Sequence, residues 1–156
     1  MNTEESFKRA EAMVNDPSTP IDLNGLDPGD RAYVMACRPD CPIDLEGLSS
    51  FDRAWVMCER PDCPIDMTGL EPYHRAKVMV HRRDCPIDMT GFDSYSRAWV
   101  MAKRPDCPID LSGLSSIDRA WVMVNRRKDC PVDLTGLNPE GIDLVLENRP
   151  DYNPDN

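Results

Sequence analysis

Apolar residues fall in this chain as the pattern Ala-x-Val-Met, and the pattern returns every 22 residues. It stands at Ala32, Val34 and Met35, then at Ala54, Val56 and Met57, and so on to Ala120, Val122 and Met123. An arginine precedes each one, at Arg31, Arg53, Arg75, Arg97 and Arg119. Each phrase runs on into Asp-Cys-Pro-Ile-Asp, or Asp-Cys-Pro-Val-Asp in the last, and then closes on a glycine. A fixed period in this range marks a solenoid, in which every unit contacts only its neighbours.

One unit, Leu48 to Leu70, shows how the pattern predicts elements. Ser49 is a candidate helix N-cap, with equivalents at Asp27, Glu71, Asp93, Ser115 and Asn138; all but Glu71 are favoured capping residues. The next position holds Pro28, Ser50, Pro72, Ser94, Ser116 and Pro139, and proline at the first helical position loses no hydrogen bond. A helix of about ten residues follows and stops near Arg-Pro-Asp, where Pro39, Pro61, Pro105 and Pro150 forbid continuation. In the segment Cys63 to Leu70, the alternation of Ile65 and Met67 would suit a short strand. The proline at its start and the spacing Ile65, Met67, Leu70 fit a 3₁₀ turn better, since the longer β-branched runs of a parallel ladder are missing. Glycine recurs at Gly25, Gly47, Gly69, Gly91, Gly113 and Gly136, which requires a positive φ or a close approach between coils.

The prediction is therefore all-α: a solenoid of about seven short helices alternating with 3₁₀ or turn segments on a 22-residue repeat. It forms a single repeat domain over 1–156, with units at 5–26, 27–48, 49–70, 71–92, 93–114 and 115–137, and a capping helix at 138–149. The first helix is expected over about Glu5 to Asn15. The last is expected over about Pro139 to Asn148, where Ile142-Asp143-Leu144 breaks the phrase as terminal repeats do. Lys128 is an insertion in a helix-to-turn corner, where it should bulge outward. The tail from Arg149 to Asn156 is expected to fray.

The run Lys8-Arg9-Ala10-Glu11-Ala12-Met13-Val14-Asn15-Asp16-Pro17-Ser18-Thr19-Pro20, followed by Leu23 and Leu26, resembles a unit of the leucine-rich repeat variant family. Arg31-Ala32 with Val34, and Pro42 with Leu45 and Leu48, keep the pattern in later units, so the resemblance spans nearly the whole chain. It implies an α-helix alternating with a 3₁₀ helix in a right-handed superhelix, and a binding scaffold rather than an enzyme. The units here are shorter than the family's, and the leucine nearest the proline is displaced by one.

Composition narrows the function. The net charge of −10 argues against sequence-independent binding to DNA or to an anionic membrane, which need basic surface. No apolar run is long enough to span a bilayer. The polar, acidic start is unlike a secretory signal, so the seven cysteines are expected as reduced thiols in a cytoplasm.

In a solenoid each repeated position becomes a column. The cysteine column is Cys41, Cys63, Cys85, Cys107 and Cys130. Packed helices sit about 8–10 Å apart; a disulfide needs Cα atoms within about 7 Å, and zinc thiolates lie about 2.3 Å from one ion. The cysteines are therefore expected as small buried spacers, and no metal or cofactor is expected. His74 and His81 lie at variable positions with no third ligand and read as surface residues. There is no Ser-His-acid grouping, phosphate loop or zinc signature, so no catalytic residue is assigned.

Two acidic columns, Asp44, Asp66, Asp88, Asp110 and Asp133 (headed by Asp22), and Asp40, Asp62, Asp84, Asp106 and Asp129, face two arginine columns. They are expected as Arg–Asp ladders and turn caps. The other reading is an acidic stripe that binds a basic partner or calcium, and the alternative function for such a stripe is a nucleic-acid mimic that inhibits a DNA-binding protein. A stack of about 60 Å matches duplex DNA carrying about 35 charges at one per 1.7 Å, far more than −10. The last column, Tyr33, Trp55, Lys77, Trp99 and Trp121, has polar flanks and accepts a lysine. It is either a clasp between helices or a surface for a protein partner or a second copy.

Overall fold

A computed structural model describes residues 2–152. Among them the chain forms seven α-helices and no strand: α1 (Thr3–Asn15), α2 (Pro28–Cys37), α3 (Ser50–Glu59), α4 (Pro72–His81), α5 (Ser94–Lys103), α6 (Ser116–Asn125) and α7 (Pro139–Asn148). The chain divides into two compact units, Met1–Cys85 with α1 to α4 and Pro86–Asn156 with α5 to α7. In each unit every helix packs against the next in sequence. This is the helical repeat that the 22-residue pattern predicts, with helix boundaries close to the expected ones. No helix among the described residues is long and apolar enough to cross a membrane.

The core is the Ala-Val-Met pattern. Ala54, Val56 and Met57, like their equivalents in α2, α5 and α6, are fully buried. Burying a valine or methionine side chain contributes about 1.5–3 kcal/mol, so one short helix docks on very few residues. Methionine has a second use. The Asp44 backbone N–H donates to Met35 Sδ at 3.2 Å, and Asp22, Asp66 and Asp110 reach Met13, Met57 and Met101 in the same way. The thioether fills the space of a leucine and also accepts from the turn segment's amide, as leucine cannot.

The segments between helices are β-turns. Cys41 N–H donates to Arg38 O across Pro39-Asp40, and Leu26 N–H donates to Leu23 O across Asn24-Gly25. Gly25 is at φ 72°, and the other five glycines of its column lie between 68° and 74°. That angle at the third residue of a turn is the type II requirement, which glycine meets without strain. Of the strand and the turn, the turn is therefore what forms, closed by one hydrogen bond each time.

Proline is not required to stop the helices. Arg82 precedes Arg83, yet it takes φ −105° and ψ 103°, nearly the −110° and 99° of Arg60 before Pro61. The common element is the arginine itself, buried in both. Arg149, assigned from sequence to a fraying tail, is likewise buried and pairs with Asp151. It belongs to the same ladder, and its Nη1 donates to Met123 O at 2.6 Å. The expected tail is thus anchored at its start; residues 153–156 lie outside the described residues. Lys128 is exposed, and its insertion is absorbed locally: Arg126 pairs with Asp129 three residues on, where the other repeats pair two residues on.

Candidate functional site

The charged columns are spent on the fold. Arg60 shows the buried ladder: Nε and Nη2 fork onto the Asp62 carboxylate at 2.8 and 2.6 Å. Its Nη1 donates to the carbonyls of Met35, Arg38 and Cys41 at 2.9, 2.8 and 3.1 Å, closing the C-terminal turn of the preceding helix. A cation belongs there, because the last carbonyls of a helix lack partners and carry its negative dipole end. The fork holds Asp40 down at about 2 in the Arg38 pair, and lowers Asp62, Asp129 and Asp151 in theirs.

The outer ladder lies within single repeats. The Asp66 carboxylate accepts the Thr68 backbone N–H at 2.9 Å and Arg53 Nη2 at 2.9 Å. Asp110 accepts Ser112 N–H and Arg97 in the same way, while Asp44 and Asp133 cap Glu46 N–H and Thr135 N–H. Asp88 is exposed, with the Thr90 N–H donating to it. The hydrogen bonds to these turns lower Asp66, Asp110 and Asp133. The columns of the two ladders hold 12 of the 18 basic and 12 of the 28 acidic residues; Arg31 and Arg119 of the outer one donate to the carbonyls of Glu46 and Thr135. The net charge therefore lies on the remainder, and much of that remainder stands at helix starts: Asp30, Asp52, Glu71, Asp93, Asp118 and Glu140.

The five column cysteines are buried and none is disulfide-bonded. Burial raises the thiols of Cys41, Cys63, Cys107 and Cys130. Among the described residues no group of three His, Cys, Asp or Glu could hold a metal ion. His74, read from sequence as a surface residue, is mostly covered, with 13% of its side chain exposed. It lies 2.7 Å from the Ser50 hydroxyl, in the place where Asp30 and Asp118 meet Ser6 and Ser94.

The aromatic column is half-buried. Tyr33, Trp55, Lys77, Trp99 and Trp121 all sit between core and solvent. Tyr33 stacks on Trp55 at 6.2 Å between ring centroids. The exposed large apolar residues, Leu146 apart, are a second column, four positions earlier: Phe51, Tyr73, Tyr95 and Ile117, with Phe7 in α1. The two columns interleave. Phe7 stacks on Tyr33 and Tyr95 on Trp121, each at 6.4 Å, so a ring of one helix covers the inner ring of the next. Lys77 joins as a cation, with Nζ 5.1 Å from the Phe51 centroid.

Sequence reasoning passed over this outer column, although its signal was present. Residues four apart share a helix face, and Phe51, Tyr73 and Tyr95 recur at the same period as the tryptophans. In the second unit Tyr95, Ile117 and Trp121 of these columns, with Asp118 and Leu144, line an open groove of about 420 Å³. In comparisons with known proteins, no family model, curated protein or solved structure matches the chain.

Proposed function

We propose that this protein is a non-enzymatic repeat scaffold that binds a protein partner, or a second copy of itself, through the aromatic faces of its repeats. The outer column supports the reading: Phe51, Tyr73, Tyr95 and Ile117 are each 44–52% exposed. Recurring exposed aromatic side chains above a half-buried aromatic layer form the kind of surface that protein interfaces use. The resemblance to leucine-rich repeat variant proteins points the same way. Nucleic-acid mimicry finds less support, because Asp62, Asp66 and Asp110 are tied to arginines of their own repeats.

The test is light scattering of the full chain over a range of concentrations, beside the double variant Tyr95→Ser/Ile117→Ser. The expected result is a mass above 17.7 kDa, or capture of partners from the source cell, that the double variant loses while its melting temperature holds. A monomer at every concentration whose captured proteins are the same for both chains would reject the reading.

A further inference from the structure

We propose that the groove between α5, α6 and α7 takes a basic, apolar segment of a partner protein, seating an aliphatic side chain against Ile117 and Leu144 and a lysine or arginine against Tyr95, Trp121 and Asp118. This rests on the scaffold reading and names the chemistry of its partner.

Three observations carry it. The first is shape. The groove's volume of about 420 Å³ is that of a site holding a few side chains, and it is formed entirely within residues 95–144. The second is charge. The ladder columns hold equal numbers of arginines and aspartates, so the net −10 equals the excess of acids outside them. Asp118 lies in the groove wall, and Glu140 stands one helical turn before Leu144 on α7. Asp118 accepts from the hydroxyls of Ser94 and Ser115, neither of which neutralises it. The third is that the protein already places its own ammonium groups on such rings. Lys77 Nζ lies over Phe51, and Lys103 Nζ lies 5.9 Å from the Trp121 centroid. A cation held against an aromatic face beside a carboxylate gains from the ring quadrupole and from the charge together.

Lys103 therefore has a specific consequence. It covers one ring of the groove and competes with an incoming cation, so removing it should tighten binding. A groove that merely sheds water from apolar surface would not respond to Lys103 in that direction.

The experiment uses the full chain and three labelled twelve-residue probe peptides: alternating Lys-Leu, alternating Glu-Leu and alternating Lys-Ser. Binding is read by fluorescence anisotropy, and the contact is located by amide chemical-shift changes. The Lys-Leu peptide should bind best. Ile117→Ser should weaken it by about tenfold and Glu140→Gln by about threefold, while Lys103→Ala tightens it by about twofold to fivefold. Ile117, Glu140 and Lys103 are exposed, so melting temperatures should hold. Equal binding of the Glu-Leu peptide, weaker binding after Lys103→Ala, or shifts confined to other helices would overturn the proposal. Failure of all three peptides would overturn it too. Self-association lost in Tyr95→Ser/Ile117→Ser would then still uphold the scaffold reading, so the two failures are distinguishable.

Discussion

Arg60 completes a helix that is not its own: its Nη1 donates to the carbonyl of Met35, 25 residues earlier and one repeat back, at 2.9 Å. Two further carbonyls share that donor, and the rest of the guanidinium is fixed by Asp62. Lysine would keep the charge without the fork. Arg60→Ala should therefore cost about 3 kcal/mol, because three buried carbonyls lose the donor that they share and only the Cys41 N–H remains on that of Arg38. Arg60→Lys should recover only part of it. Urea unfolding of both variants checks this; equal stability of Arg60→Lys and the parent would contradict it.

Acid should weaken the fold through the same ladder. Asp40 lies at about 2 against an ordinary 3.8, chiefly because Arg38 hydrogen-bonds its charged form, and Asp62 and Asp129 are lowered for the same reason. A depressed folded pKa means that the unfolded chain binds more protons. The stabilisation is thus complete above about pH 4 and drains away as pH falls toward 2. Melting temperatures recorded from pH 6 to pH 2 should stay level down to about pH 4 and then drop. A drop already complete by pH 5 would assign the loss to other groups.

Two glycines should respond in opposite directions. At Gly29 a Cβ would meet nothing within 4 Å, so Gly29→Ala should stabilise α2 by about 0.5 kcal/mol through helix propensity and the unfolded chain. At Gly141 a Cβ would come within 2.8 Å of Ser116 Oγ and 3.2 Å of its carbonyl oxygen. Gly141→Ala should therefore destabilise by about 1–3 kcal/mol despite the gain in propensity. Thermal unfolding of the pair decides; the same sign for both would refute the packing argument.

Thiol reactivity should separate the cysteines. Cys37 is exposed, Cys58 is half-buried and raised to about 11 by burial, and the five column cysteines are buried. With a thiol reagent at pH 8, Cys37 should react first. Burial and Glu59 raise the Cys37 thiol as well, but Cys58, having roughly 0.1% thiolate, should lag behind it. The other five should wait for unfolding. Mass spectrometry over time gives the order, and early labelling of Cys63 would contradict the packing.

Met57→Leu tests why the core chooses methionine. The swap conserves volume, which alone costs little. It also removes the acceptor for the Asp66 N–H at 3.4 Å. A loss of about 1 kcal/mol is expected, measured by denaturant unfolding; no loss would reduce Met57 to a space filler.

Much of the fold was legible because the period repeats its own evidence. Ser49 predicted a cap and does accept the Asp52 N–H at 3.1 Å; the glycine column predicted a positive φ and has it. The ladder was legible as pairing but not as helix closure, since a carbonyl acceptor leaves no mark in sequence. Hence Arg149 looked like tail. The face was half legible. Tryptophan drew attention to the inner column, and the exposed one escaped because tyrosine, phenylalanine and isoleucine alternate within it.

The reach of the guanidinium also bears on how such a chain comes into being. Within residues 1–85 the end of α2 stays open until Arg60 has been synthesised, and the end of α3 until Arg82. Each newly made helix is provisional for the time taken to add one more repeat, and then is sealed from downstream. A ribosome releasing this chain stepwise would deliver its locks in the same order as its helices, always one behind.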